Sequence, residues 1–315
     1  MNRIFCSPPA RLPAVINPRV DYFSMYSYPT TARRGVGYVA PSLKRDIRRA
    51  GLAPAVRVWD FASIALSVAA ADLSCKRANS ADGWTRIIEL DICLCEPEPW
   101  LAQRAQLEST CRYLTGDFWK LNFLPGGDDP PKSNKIKTYD ADCVSLLSGG
   151  VDSLVGAIDL TSKARKPLFV SQVVRGDKIT QEQYASELGA GNRHCQWSCA
   201  IHRPRSSEGS TRGRSIVFFA FAAIAASAIP STAGSPAEIF VPENGFISLN
   251  VPLNPGRMGS LSTKTTHPIY LSGIQSVWDA VGIHAKLISP YQFKTKGELL
   301  DECSDKGMLL SLIGR

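Results

Sequence analysis

Hydrophobic and polar positions follow two different periods along this chain, and the periods distinguish strands from helices. Every second residue is apolar within Arg86–Cys95, which predicts a strand with one buried face. Helical spacing relates Leu107, Cys111 and Leu114, so a helix is expected there. Gly116 follows in the position where glycine commonly ends a helix. The first half of the chain therefore contains both kinds of element.

The same pattern divides the chain into three parts. Residues 1–45 are rich in Pro, Ser, Tyr and Arg and follow neither period, which predicts an extended or poorly ordered arm. Asp60 is placed to cap an Ala-rich helix within residues 46–138, a segment expected to form a small α+β domain that binds a partner or a substrate. Residues 126–134 break every pattern, so we expect a boundary there and a second domain at 139–315.

From residue 139 onward, apolar runs of strand length alternate with segments of helix length. The strand candidates are Cys143–Leu147, Leu168–Val174, Ile239–Val241 and Lys286–Ser289. The helix candidates are Ser153–Lys163, Gln181–Leu188, Arg214–Ala228, Ile269–Val281 and Lys296–Cys303. This alternation predicts an α/β domain in which helices cover both faces of a parallel sheet. Ligands of such sheets bind beyond the carboxyl ends of the strands.

One turn at such a strand end, at residues 148–153, gives most of the evidence for a particular chemistry. It follows the first strand of the second domain and begins a helix. Its two glycines allow positive φ and close backbone approach, and the helix start adds N–H groups that favour an anion. Two hydroxyls would donate to phosphate, and Asp152 would hold the Mg²⁺ that accompanies a nucleotide. The turn, predicted to bind ATP, consists of Ser148, Gly149, Gly150, Val151, Asp152 and Ser153.

The composition restricts the classes of protein to which the chain could belong. The most apolar stretch, Ile216–Ile229, has 14 residues and is too short to span a membrane. The N-terminus lacks an apolar run of signal-peptide length, and the nine cysteines show no disulfide framework, so a cytoplasmic location is expected. The net charge of +8 is diffuse, which favours anionic ligands and leaves nucleic-acid binding open. No glycine-rich loop ends in the Lys-Ser/Thr pair of kinases and GTPases.

The pattern Ser-Gly-Gly-x-Asp-Ser resembles the PP-loop of the ATP pyrophosphatases. Members of that group cleave ATP between its α and β phosphates and adenylate an oxygen of the substrate. Within the group, the chain is most similar to 7-cyano-7-deazaguanine synthase (QueC), and in particular to the QueC-like branch of the Qat anti-phage defence system (QatC). The segments that carry this similarity are Asp82–Arg86, Leu114–Trp119, Arg212–Phe219, Pro242–Asn250, Ser262–Pro268 and Thr295–Glu298.

The resemblance places further residues at an ATP site. Phosphate contacts are expected from the segment Arg212, Gly213 and Arg214, and adenine would lie against the backbone near Val170 and Ser171. The two arginines suit phosphate because a guanidinium has forked donors. Surface charge at a helix start is the alternative interpretation of both arginines.

Three residues are expected to act on the reacting groups. Asn244 and His267 are candidates for contact with the acceptor substrate, and Lys296 for contact with a phosphate or the adenylate. Together with Asp152, Lys296 would be catalytic. The alternatives are a turn asparagine, a hydrogen-bonded loop histidine and a surface lysine.

The implied function is that of an ATP-dependent ligase in anti-phage defence. It would adenylate a carboxylate, on a 7-deazaguanine, release pyrophosphate and transfer the acyl group to an amine. A protein partner from the same operon would bind residues 1–138. Two alternatives remain open: a nucleotide-binding structural subunit without turnover, and a tRNA-thiolating enzyme with Cys199 as sulfur carrier.

The chain differs from QueC enzymes in the residues that would bind zinc. QueC enzymes have a four-cysteine zinc site near the C-terminus, whereas no such cluster follows Cys303, so we expect a truncated or an abbreviated member. A second group lies within nine positions, but its spacing matches no common zinc finger and favours a polar surface with incidental thiols. That group is His194, Cys195, Cys199 and His202.

Overall fold

The computed structural model describes residues 2–29, 35–173, 176–205, 208–209, 212–230, 235–250 and 264–313. Within them the strands are β1 (Asn2–Ser7), β2 (Val20–Met25), β3 (Val36–Val39), β4 (Ile87–Leu94), β5 (Phe118–Pro125), β6 (Cys143–Leu146), β7 (Pro167–Gln172), β8 (His194–Trp197), β9 (Ile201–His202), β10 (Ala237–Phe240) and β11 (Ala285–Ile288). The helices are α1 (Leu43–Arg49), α2 (Val56–Ser74), α3 (Pro97–Ala102), α4 (Arg104–Thr115), α5 (Val151–Ser162), α6 (Lys178–Glu187), α7 (Arg214–Ala226), α8 (Gly245–Leu249), α9 (Pro268–Val281), α10 (Lys296–Asp301) and α11 (Lys306–Ile313).

The second half of the chain forms the expected parallel α/β sheet. Its strand order is β11-β10-β6-β7-β8, and every pair is parallel. The chain moves from β6 to β7 and β8 on one side, and then returns to place β10 and β11 on the other side. The order therefore reverses between β6 and β10, where the diverging connections leave a crevice at the carboxyl ends of the strands.

The first half contradicts two predictions. Residues 1–45 are not an arm, because they supply β1, β2 and β3, and β1 pairs with both β2 and β4 in the middle of a sheet. The order is β5-β4-β1-β2-β3-β9, and only β9 is antiparallel, so this half is a parallel α/β layer rather than α+β. Pairing buries most of β2, including Ser24, so apolar and polar residues do not alternate there.

The two sheets share one hydrophobic core instead of forming separate ones. Helix α2 covers the first sheet and packs against α7, which covers the second. In addition, β9 comes from the second half of the chain and pairs with β3 of the first sheet. Deleting residues 1–45 would remove three strands of a shared structure, so it would not isolate a partner-binding segment.

The Asp60 side chain forms hydrogen bonds at the start of a different helix from the one that the sequence suggested. It lies one turn inside α2, which begins at Val56, and its side chain is buried. Its carboxylate accepts hydrogen bonds from the backbone N–H groups of Cys95 (2.8 Å) and Glu96 (2.9 Å), immediately before α3. The predicted cap of α2 is therefore wrong, and Asp60 links α2 to the start of α3.

The joint between α2 and α7 depends on small residues. The apolar segment Ile216–Ile229 supplies most of α7 and is buried on nearly all sides, as its composition predicts. A Cβ atom on Gly213 would lie 3.2 Å from the Cα of Ala69, so glycine permits the close approach of the two helices. Among the described residues, no helix is long and apolar enough to cross a membrane.

Candidate functional site

The glycine turn is a loop between β6 and α5 with hydrogen bonds of its own. Gly149 has φ of +93°, in the region that favours glycine, and Gly150 is the N-cap of α5. The Ser153 hydroxyl donates to the Gly150 carbonyl (2.7 Å) and accepts from the Ser148 amide (3.2 Å). Within the described residues, no acceptor takes the first N–H groups of α5, at Val151 and Asp152. These groups and the helix dipole are thus available to an anion.

Asp152 is held in place by the strand across the reversal point. It is 8% exposed, and its Oδ2 accepts hydrogen bonds from the backbone N–H (3.1 Å) and the side-chain amide of Asn244. Asn244 is itself 2% exposed, and its Oδ1 caps α8 by accepting from the Ile247 N–H (3.2 Å). Asn244 therefore orients Asp152, which differs from the expected contact with an acceptor substrate.

No described residue donates a hydrogen bond to the other oxygen of Asp152. Oδ1 is inaccessible to solvent and forms an ion pair with the ammonium of Lys296 at 3.6 Å. Lys296 is the first residue of α10, whose start is fixed by a capping box between Thr295 and Glu298. The structure thus brings together both residues that were expected to be catalytic.

Glu243 is a site residue that sequence reasoning missed. Burial, and next the negative charge of Asp152, raise the pKa of its carboxyl to about 7. Among the described residues no hydrogen bond reaches this carboxylate. Its position just after a strand candidate was visible, but its proximity to Asp152 follows from β10 lying beside β6.

An open cleft of about 470 Å³ lies over these groups, within the size range of small-molecule sites. A smaller cavity of about 80 Å³ shares Ser148 and Glu243 with the cleft. Its walls are mainly apolar and include Phe218 and Val241, with Thr265 and Thr266 as polar contributors. The cleft is lined by Ser148, Gly150, Val151, Asp152, Glu243, Asn244, Phe246, Ile247, Thr295 and Lys296.

The first sheet provides an internal comparison. Its order also reverses, between β1 and β4, but its own chain fills that crevice. The Gly127 N–H donates to the Leu94 carbonyl (2.8 Å), and the Trp59 indole donates to the Asp128 carbonyl (2.7 Å). Segment 126–128 thus covers the carboxyl end of β4, whereas the described residues leave a cleft at the equivalent position of the second sheet.

The residues expected to contact phosphate, Arg212, Gly213 and Arg214, lie in two different parts of the structure. Arg214 lies at the end of β7, where its Nε donates to the Gln172 side chain (3.4 Å). Arg212 instead donates to the Thr115 carbonyl (3.2 Å) and lies against the Trp84 ring.

Both neighbours of Arg212 belong to the first half of the chain. Burial, and next the charge of Arg77, lower the pKa of the Arg212 guanidinium. The Gly213 N–H is bound by the Asp72 carboxylate (2.8 Å), which caps α7. Neither Arg212 nor Gly213 lines the cleft within the described residues, because α2 holds this segment.

The expected adenine residues lie inside the sheet. Val170 and Ser171 are fully buried, and the Val170 carbonyl accepts from the Leu147 amide (2.8 Å). The Ser171 hydroxyl donates to the Leu147 carbonyl (2.6 Å) and pairs with Nε2 of His194 (2.8 Å). Because that hydroxyl proton is already used, His194 donates from Nε2. These groups are therefore already engaged in hydrogen bonds within the protein.

His267 has a structural role as the N-cap of α9. Its Nδ1 accepts from the Ile269 N–H (3.2 Å), and its ring lies 5.2 Å from that of Tyr113. Its neighbours Thr265 and Thr266, not His267 itself, line the small cavity. Of the segment that carried the resemblance here, Ser262 and Thr263 lie outside the described residues.

The His and Cys residues between 194 and 202 do not converge. Cys195 is buried beside Tyr139, whereas His202 is stacked on Tyr38. Burial raises the pKa of Cys199 to about 12, which disfavours the thiolate that a sulfur carrier needs. Across the described residues, no group of three or more His, Cys, Asp or Glu side chains is arranged to hold a metal.

No protein-family model matches the chain, and neither the curated proteins nor the solved structures give a significant match. The function is therefore inferred from the chain's own residues and their geometry.

Proposed function

We propose that the chain binds ATP and Mg²⁺ at the 148–153 turn and cleaves ATP to AMP and pyrophosphate while adenylating a carboxylate. The observation that carries the proposal is the position of this turn. It lies at the reversal point of a parallel sheet, where ligands of such sheets bind, and a cleft of about 470 Å³ opens beside it. The comparable crevice of the first sheet is filled by the chain's own residues.

The residues present fit a divalent cation. Asp152 offers a buried oxygen to which no described residue donates a hydrogen bond, and Glu243 offers a second carboxylate at the same cleft. Proteins usually hold Mg²⁺ through one or two carboxylates together with substrate phosphates and waters. When bound, the ion would offset the charge that develops on the phosphates.

The chain's own groups would bind the phosphates and stabilise the charge that develops during the reaction. The free N–H groups at the start of α5 would hold the β and γ phosphates, and Lys296 would neutralise charge on the α phosphate. A substrate carboxylate oxygen would attack the α phosphorus, and the bond to the pyrophosphate oxygen would break. Attack of an amine on the acyl carbon would then release AMP. The QueC resemblance suggests a 7-deazaguanine carboxylate, with an amine on a partner protein as acceptor.

Asp152→Asn tests the proposal with little change of shape. The carbonyl oxygen of the new side chain can still accept from Asn244, while its amide replaces the oxygen that lies 3.6 Å from the Lys296 ammonium. We expect Mg²⁺-dependent ATP cleavage to fall about 100-fold or more, the scale of losing one electrostatic group. Asp140→Asn is the matched control, because Asp140 is an exposed residue paired with Lys166.

Cleavage by Asp152→Asn at the rate of Asp140→Asn would remove Asp152 from the reaction. Tight ATP binding by the wild type without cleavage, over a panel of carboxylic acids, would favour the structural subunit instead. Thermal unfolding of both variants establishes that each is folded.

A further inference from the structure

Two consecutive carbonyls at the entrance of the 148–153 turn are bound by side chains of neighbouring elements. The Ser171 hydroxyl, from β7, donates to the Leu147 carbonyl (2.6 Å). The side-chain amide of Gln181, from the first turn of α6, donates to the Ser148 carbonyl (2.9 Å). The backbone therefore enters the turn with both peptide groups held in one orientation.

Gln181 is fully buried, and both ends of its amide are engaged. Besides the Ser148 carbonyl, its Nε2 donates to the Gln172 carbonyl (3.3 Å), and its Oε1 accepts from the Gln196 side chain (2.9 Å). Ser148 follows β6, Gln172 is the last residue of β7, and Gln196 lies in β8. One side chain thus joins three adjacent strands at the end of the sheet that carries the turn.

The orientation of the Ser148–Gly149 peptide decides which N–H groups of the turn are available to an anion. A trans peptide is planar, so the Gly149 N–H points opposite to the Ser148 carbonyl and hence away from Gln181. The Ser148 N–H donates to the Ser153 hydroxyl (3.2 Å), and the Gly150 N–H donates to the Ser148 hydroxyl (3.2 Å). Among the described residues, nothing accepts from the Gly149 N–H between them.

We propose that Gln181 is a positioning residue that holds the Gly149 N–H toward the phosphate ligand. Gly149 then joins the N–H groups at the start of α5 as a further donor to the anion. Without the Gln181 amide, the Ser148 carbonyl could turn toward the ligand, and a carbonyl oxygen repels an anion. The inference rests on the proposed function for the identity of that ligand. Because Gln181 is buried, it acts through the turn and does not touch the ligand.

The test compares two glutamines that each join a helix to a strand. Gln181→Met removes the amide that binds the turn. The control Gln275→Met removes an amide of α9 that bonds the Ala285 carbonyl and the Leu287 N–H (2.9 Å each), in β11 at the opposite edge of the sheet. Isothermal titration calorimetry would measure the binding of inorganic pyrophosphate with Mg²⁺ to the full chain, and thermal unfolding would establish that each variant is folded.

Gln181→Met should weaken pyrophosphate binding at least about 10-fold, the scale of one hydrogen bond to a charged group. Gln275→Met should bind as the wild type does, although it too loses two backbone contacts. Equal affinities of the two variants would overturn the role of Gln181. A wild type that binds no pyrophosphate would overturn it as well.

Gln181→Glu tests the orientation of the turn with almost no change of shape. Its carboxylate would face two carbonyl oxygens in a buried position, which raises the pKa of the new carboxyl. Once protonated, the acid can donate again to the Ser148 carbonyl. Its pyrophosphate affinity relative to that of the wild type should therefore recover as the pH falls from about 8 to about 5. A folded variant whose relative affinity does not change with pH would contradict the proposal.

The outcomes separate this inference from the proposed reaction. Pyrophosphate binding that is weakened in Gln181→Met, in a wild type that does not cleave ATP, would refute the enzyme but keep the role of Gln181. Cleavage of ATP to AMP by Gln181→Met and Gln275→Met alike, with unchanged pyrophosphate affinity, would keep the enzyme and refute that role.

Discussion

Asn244 should connect stability and function more directly than any other side chain of the cleft. Its amide donates to the buried Asp152 carboxylate, and its Oδ1 caps α8. Asn244→Ala removes both contacts but keeps the backbone N–H that also donates to Asp152 (3.1 Å). The variant therefore loosens Asp152 without removing it.

The expected loss can be worked out from these contacts. A hydrogen bond to a charged group contributes about 2 kcal/mol, and an N-cap about 1 kcal/mol. Asn244→Ala should thus lower the free energy of unfolding by about 3 kcal/mol. Asn244→Ser separates the two parts, because serine caps helices well but is too short to reach Asp152. We expect a loss of about 2 kcal/mol for that variant.

Urea unfolding followed by circular dichroism measures both losses, and ATP cleavage by the same samples reports the orientation of Asp152. Asn134→Ala is the control, since Asn134 is exposed. If both Asn244 variants unfolded within about 0.5 kcal/mol of this control, the scale of ordinary surface changes, Asn244 would not hold Asp152 as described.

Three other predictions concern the scaffold. Arg86→Met should destabilise the chain by about 3–5 kcal/mol in urea unfolding, because it breaks fully buried ion pairs with two carboxylates; a loss below about 1 kcal/mol would contradict this. Gly156→Ala should destabilise by about 1–2 kcal/mol although alanine favours helices, because the added Cβ would lie 2.4 Å from the Pro242 Cβ; a higher melting temperature would be the opposite result. Burial lowers the pKa of His194 to about 4, so between pH 6.5 and 4 protons bind mainly to the unfolded chain and stability falls as the pH drops. His194→Gln should remove up to about 3 kcal/mol of that pH dependence, and identical pH profiles would show that His194 is not buried in the neutral form.

The sequence predicted the second sheet well because the apolar runs there end at residues that commonly end strands and helices. Apolar runs bounded by glycine or proline located β6, β7, β10 and β11 to within a few residues. It missed β8, which is as long as β6 but consists of His, Cys, Gln and Trp and forms no apolar run, and it missed β9, which has only two residues. It also missed β1 to β3, because strands covered on both faces do not alternate.

The candidate site was predicted only as far as it is local in sequence. The turn at 148–153 can be predicted from its own residues. Glu243 joins the site only because β10 lies beside β6, and no local sequence pattern shows that pairing. Conversely, the Arg212-Gly213 segment suggested phosphate binding, but Asp72 from a distant helix binds it. Strand order and helix packing decide these roles.

The most direct test of the account is the identity of the products formed from ATP. The chain would be incubated with Mg²⁺, ATP labelled at the α phosphate and a panel of carboxylic acids that includes 7-deazaguanine carboxylates, and the nucleotides would be separated by chromatography. Cleavage beside the α phosphate predicts labelled AMP and an equal amount of pyrophosphate, both reduced in Asp152→Asn. Labelled ADP with inorganic phosphate would contradict the proposed reaction.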